Sequence, residues 1–253
     1  MAYEKISYEL DGSTAIISFN DPSTMNACGV DTAQELLHAF ETASKEARCT
    51  ILTGKGRGFC SGANLGANPG SGSSLSHPGS QPDAGRALET HYNPLILAIQ
   101  DHPHPVITAV NGAAAGVGCA LGLIGDLVIC GLVPDGGSTY LLARTIGRTR
   151  AMEMTLLGEK VPAEQAMSWG LVNRVVEDDA LMDTAKQIAQ QLAEGPTQAL
   201  ALTRKLVWAA CDGDFDGALR AERLAQRTAG RTDDFKEGVM AFLGKRKAEF
   251  KGK

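Results

Sequence analysis

From Pro105 to Gly125 the chain reads PVITAVNGAAAGVGCALGLIG, without one charged side chain. Such a run has to be buried, in a membrane or in a protein core. Its first part is rich in β-branched residues and reads as a buried strand, and Asn111-Gly112 reads as a turn. The helix left after that turn has about 14 residues, or roughly 21 Å, short of a bilayer core of about 30 Å. The run is therefore expected to form strand, turn and helix inside a protein core. The first turns of that helix are nearly all Gly and Ala, so their backbone N–H groups lie bare and can hold a developing negative charge. Shortly afterwards GLVPDGGSTYLL, Gly131 to Leu142, places Asp135 in a Pro-Asp-Gly-Gly turn, where a short side chain can project into a cleft. Bare donors facing one carboxylate suggest enolate chemistry.

The surrounding pattern says what sheet this strand enters. Ile6 to Leu10 and Thr14 to Phe19 are β-rich runs separated by the hairpin signal Asp11-Gly12. Val30, Ala33, Leu36, Leu37 and Phe40 then fall at helical spacing, and a strand follows at Thr50 to Thr53. A second unit carries the helical run Leu88, Tyr92, Leu95 and Ile99, and a third opens at Val106. Strands separated by such crossovers favour a parallel sheet with helices outside. Beyond Arg148 helices dominate. Gly158 and Gly170 read as helix stops, Leu171 to Val176 as a strand, and Gly195-Pro196 and Asp212-Gly213 as breaks between helices. Gly66 to Arg86 is rich in Gly, Ser and Pro and reads as a surface excursion or an active-site lid.

Composition narrows the function classes. A net charge of −5 argues against a nucleic-acid surface, which requires concentrated Lys and Arg. Six cysteines show no CxxC pair, and MAYEKISYEL carries charges where a signal peptide needs an apolar run, so a reduced cytoplasmic protein is expected. Asp101-His102-Pro103-His104 could suggest a metal, but two prolines and no third clustered ligand make it a turn before the strand. No metal site is expected.

The strand and NGAAAG turn, the earlier GRGFCSGANL (Gly56 to Leu65) and GLVPDGGST together resemble the crotonase superfamily, the enoyl-CoA hydratases and isomerases, over nearly the whole chain. That resemblance implies an α/β fold, a crotonase-like spiral of ββα turns over residues 1–192, with a helical C-terminal region at 193–253 that packs subunits into a trimer or hexamer. It implies an acyl-CoA thioester as substrate, with coenzyme A entering as part of that substrate and no separate cofactor. The N–H groups of Ala63 and Val117 would form the oxyanion hole. Arg57 and the Ala63 region would line the CoA nucleotide, and Phe242 and Lys245 would contact its adenine and phosphate, commonly from a neighbouring subunit.

Three departures from the family pattern bear on activity. Hydratases of the family use two glutamates, and Ala120 stands where the first would be. Members normally continue for about a dozen residues between the strand ending at Cys130 and the GLVPDGG turn, the length a parallel crossover needs; here Cys130 adjoins Gly131, and a segment is expected to be missing that would have held the second acid. Asn64 replaces a common Asp. One carboxylate suffices for a double-bond shift, since one base can take a proton from one carbon and return it to another. The expectation is therefore an enoyl-CoA isomerase moving a 3-enoyl-CoA to the 2-enoyl form with Asp135 as base. The alternatives are an enoyl-CoA hydratase, a catalytically silent acyl-CoA binder and, more distantly, a thiol hydrolase built on Cys60 in Gly58-Phe59-Cys60-Ser61-Gly62. The other readings of these residues are structural: glycines for close packing, Asp135 as a turn former, Phe235, Val239 and Phe242 as core, Lys245 as solvated tail, Asp126 as a structural carboxylate.

Overall fold

The computed structural model describes residues 3–64, 87–134, 139–158 and 160–253. Asp135 and the Gly66 to Arg86 excursion lie outside the described residues. Strands β1 (Ile6–Asp11) and β2 (Thr14–Phe19) form the expected antiparallel hairpin, with Gly12 at φ 60° in its turn. From β2 onward the sheet is parallel. Strand β3 (Cys49–Gly54) joins β2, β5 (Val106–Ala114) joins β3, β6 (Leu127–Pro134) joins β5 and β7 (Arg174–Val175) joins β6. The short β4 (Gly58–Cys60) pairs with the C-terminal half of β5.

Helix α1 (Val30–Glu46) buries Ala33, Leu36, Ala39, Phe40 and Ala43 on one stripe, as its spacing requires. Its Glu35 carboxylate accepts hydrogen bonds from the N–H groups of Glu4, Lys5 and Ile6, which fixes the chain entry onto β1. Helix α2 (Asn93–Gln100) buries Leu95 and Ile99 in the same core, whereas Leu88 is exposed and takes no part in it. Helix α7 (Leu181–Ala193) covers the other sheet face through Leu181, Ala185, Ile188 and Ala189. The sheet is thus enclosed by helices on both sides.

Two expectations need correction. Asn111-Gly112 is not a turn: β5 runs through it to Ala114, and the helix that follows, α3 (Val117–Leu123), is 7 residues long instead of about 14. The cause is tertiary. Asn111 Oδ1 accepts from the Gly54 N–H and Nδ2 donates to the Gly56 carbonyl, while Gly112, at φ 142°, lies so close to the Arg57 carbonyl that a Cβ would sit 2.3 Å from it. Neighbouring chain captures the dipeptide as strand. The second correction is the Leu171 to Val176 run, of which only Arg174–Val175 pairs, because β7 meets the sheet edge over two residues. At the suspected missing segment, β6 runs on through Cys130 and Gly131, with its register against β5 shifted by one residue between Cys130 and Leu132.

The remaining helices are α4 (Thr139–Thr145), α5 (Gly147–Leu157), α6 (Ala163–Ser168), α8 (Thr197–Ala210), α9 (Phe215–Ala229) and α10 (Asp233–Leu243). Gly158 and Gly170 take left-handed φ angles where the helices before them stop. Among the described residues no helix is long and apolar enough to cross a membrane.

Asp126 pins these parts together. Its carboxylate accepts from the Val106 N–H at the start of β5, from Arg204 Nε at 2.7 Å and from Trp208 Nε1. The Arg204 guanidinium also donates to the carbonyls of Ile99, Gln100 and His102, so the structural reading of Asp126 holds. With Arg204 buried, Asp126 half-buried and both groups bonded on several sides, the pair locks α8 against the strand that leads to α3.

Candidate active site

Two backbone segments meet beyond the C-terminal ends of β4 and β5. Cys28 forms an isolated parallel bridge with Ala63: its N–H donates to the Gly62 carbonyl at 2.7 Å, and its own carbonyl accepts from Asn64 N–H at 3.3 Å. Because the groups on either side of Ala63 bond to Cys28, the N–H of Ala63 itself points away from that partner. Opposite lies the start of α3. A Cβ on Gly62 would stand 2.9 Å from the Ala115 carbonyl, and one on Gly118 only 2.2 Å from the Cys60 carbonyl, so glycine alone permits this approach. Ala115 N–H donates to Cys60, Gly118 N–H to Ala115, and those of Cys119 and Ala120 to Gly116. Among the described residues no acceptor takes the N–H of Ala63 or of Val117. These two donors lie on abutting segments beside the exposed Ala63 and Gly116.

Two unpaired N–H groups on rigid, touching backbone can hold an oxyanion, each worth about 3 kcal/mol to a transition state in a dry site. Ala120, less than one helical turn beyond Val117, is half-buried, and its methyl side chain offers no proton.

Cys60 is fully buried. The Cys28 thiol shares a hydrogen bond with it, which pulls Cys60 below the ordinary thiol range and, together with burial, pushes Cys28 well above. A sulfur enclosed in the core is poorly placed to attack a thioester, which weighs against the thiol hydrolase. Arg57 is exposed on the loop before β4, its guanidinium 4.0 Å from Met25 Sδ. Among the described residues no cluster of His, Cys, Asp and Glu could hold a metal. His102 and His104 serve the turn before β5, where His102 Nδ1 meets the His104 backbone.

Phe235, Val239 and Phe242 do not pack into the core of this chain; Phe242 is 84% exposed. Their helical spacing makes an outward apolar stripe on α10. Lys245 follows at φ 49°, and the tail beyond it runs to the end of the sheet where β3 starts, with Lys247 paired to Glu194 and Gly252 packed on Thr197 beside Arg48. Within one chain the structure does not join this segment to Ala63 and Val117.

Sequence reasoning passed over two residues. Asn26, buried and at φ 58°, accepts from Asp21 N–H and donates to the carbonyls of Lys55 and Gly58, stapling the loop that carries Arg57. Tyr92 donates from its hydroxyl to the Cys28 carbonyl at 2.7 Å. Apart from Asp21, five residues off, their partners are 29 to 64 residues away, so no local pattern marks them.

The enoyl-CoA hydratase/isomerase family model matches residues 9–253. The chain belongs to that family. It is 41% identical over 252 positions to the 1,2-epoxyphenylacetyl-CoA isomerase of Escherichia coli K12, covering 94% of each chain. It is 29% identical to the short-chain-enoyl-CoA hydratase of Clostridium acetobutylicum over 265 positions, covering 98% of each. That alignment is longer than the 253 residues of this family member, so the relative has residues without a counterpart here. Enoyl-CoA hydratase from Bacillus anthracis superposes with a TM-score of 0.89 at 28% identity, over 99% of this chain and 100% of that one. The crotonase-type fold inferred from the motifs is thereby established.

Proposed function

We propose that this family member is an acyl-CoA isomerase that shifts a 3-enoyl-CoA to the 2-enoyl form. The thioester carbonyl would be held by the N–H groups of Ala63 and Val117. Negative charge building on that oxygen as the α-proton leaves would be stabilised there, and Asp135 would carry the proton between carbons. The observation that carries this reading is the pair of unaccepted donors on abutting glycine-lined backbone, together with Ala120 at a position where water addition would need an acid. The likeness to an epoxyphenylacetyl-CoA isomerase supports isomerisation. We assign no cofactor beyond the coenzyme A of the substrate.

Arg57 is proposed to meet the CoA nucleotide from the same chain, and Phe242 and Lys245 from a neighbouring copy. The supporting observation is the outward apolar surface of the C-terminal region, where α9 buries no residue and Phe215, Leu219 and Leu224 stand exposed. A homotrimer or hexamer built through residues 193–253 would cover it.

The test is Asp135→Asn with a 3-enoyl-CoA. Turnover should fall by about 10² to 10⁴, the usual worth of a positioned general base, while calorimetry with a saturated acyl-CoA gives an unchanged Kd. Retention of more than about a tenth of the activity would return Asp135 to a turn former. The hydratase reading has the Clostridium relative in its favour. It would be upheld by water addition to crotonyl-CoA at about 10 per second or faster.

A further inference from the structure

One buried tyrosine touches the backbone that aims the Ala63 donor. Pro94 lacks an N–H, so the helical turn before it cannot close on Thr90 in the α manner. The chain instead winds one π turn over Leu88–Tyr92, with the Asn93 N–H bonded to the Leu88 carbonyl five residues back. That wider turn sets Tyr92 facing inward, 6% exposed, in the same core cluster as Cys28 and Cys60. Its hydroxyl bond to the Cys28 carbonyl, at 2.7 Å, is shorter than the 3.3 Å bond which that carbonyl receives from Asn64. Cys28 therefore holds Gly62 by its N–H and Asn64 by its carbonyl, and Tyr92 holds Cys28.

We infer that Tyr92 is a positioning residue for the oxyanion hole: its hydroxyl anchors the Cys28 carbonyl and so sets the direction of the Ala63 N–H. The inference rests on the oxyanion reading above. Tyr92 does not touch the reacting atoms; it acts through two hydrogen bonds in series. Without it the Cys28–Ala63 bridge is left with one short bond, from Cys28 N–H to Gly62, and one long one, and Ala63 can swing. An oxyanion donor loses its worth steeply as its angle opens. Burial pushes the Tyr92 hydroxyl up to about 12, so it remains a donor throughout the neutral range. The anchor is permanent, unlike a titrating switch.

The experiment compares wild type with Tyr92→Phe, which keeps the ring and the packing and removes only the donor. Butyryl-CoA carrying 13C at the thioester carbonyl is the probe, read by isotope-edited infrared difference spectroscopy, with kcat and KM measured on a 3-enoyl-CoA and thermal unfolding as a check on folding. In wild type the carbonyl stretch should drop on binding. In the variant that drop should shrink to about half or less and kcat should fall about tenfold, with the butyryl-CoA Kd and KM changed less than about twofold. A variant with the wild-type carbonyl shift overturns the inference, whether or not kcat has changed. A wild type with no shift at all refutes the oxyanion hole itself and with it the proposed function.

Discussion

Gly118→Ala tests the site most directly, because the structure supplies the size of the disturbance. The added methyl would stand 2.2 Å from the Cys60 carbonyl oxygen and 2.8 Å from Cys60 Cβ. An ordinary carbon–oxygen contact needs about 1 Å more, and the first obstacle is strand backbone, which cannot rotate aside. Helix α3 and strand β4 must therefore separate by about 1 Å. That separation moves the segment that carries Val117 away from the one that leads to Ala63. A misplacement of this size costs about 10² in rate, and overpacking costs about 1–3 kcal/mol of stability. Gly122→Ala is the internal control. On the same helix its methyl would meet Val110 Cγ2 at 3.5 Å, an ordinary contact, and the better helix former should leave stability equal or higher. Turnover of a 3-enoyl-CoA and urea unfolding would be measured for both. The expected result is Gly118→Ala at about a hundredth of wild-type kcat with a folded, acyl-CoA-binding protein, and Gly122→Ala near wild type. Equal turnover in the two variants would refute the idea that close approach of these segments creates the site.

Two further outcomes follow from other parts of the molecule. Burial holds the His102 imidazole down to about 4, against 6.5 unfolded; the unfolded chain thus binds the extra proton, and stability should fall as pH drops from 6.5 to 4 and level off below. The difference is worth at most about 3 kcal/mol, and urea unfolding at pH 7 and pH 4.5 should show a shallower acid loss in His102→Gln than in wild type. Lys245→Ala should raise KM for CoA esters about three- to tenfold with kcat nearly constant, the signature of binding lost equally in ground and transition states; an unchanged KM in steady-state kinetics would make Lys245 a solvated tail residue.

Much of this protein was legible because the proposed oxyanion hole is built from backbone. Glycine at 62, 116 and 118 and alanine at 63 are conspicuous in a sequence, and the need for close approach can be read from them. The β-rich runs of β1 and β2, the Asp11-Gly12 turn between them and the stripe on α1 were equally visible, since each depends on neighbours a few residues apart. Asn111-Gly112 misled for the opposite reason. The dipeptide has a strong local preference for turning, but Gly54, Gly56 and Arg57 bind it as strand, and none of them is near it in the chain.

The same division holds throughout the site. Residue type alone determined that Ala120 cannot deliver a proton and that the Pro105 to Gly125 run enters the protein core, although Gly116 within it is exposed. Only the tertiary structure decided that Cys60 is enclosed, that Phe242 faces outward, and that Tyr92 reaches Cys28 across 64 residues. Local propensity and periodicity sense a few neighbouring residues, whereas a hydrogen bond or a 2.2 Å clash is set by whichever segments the folded chain brings together.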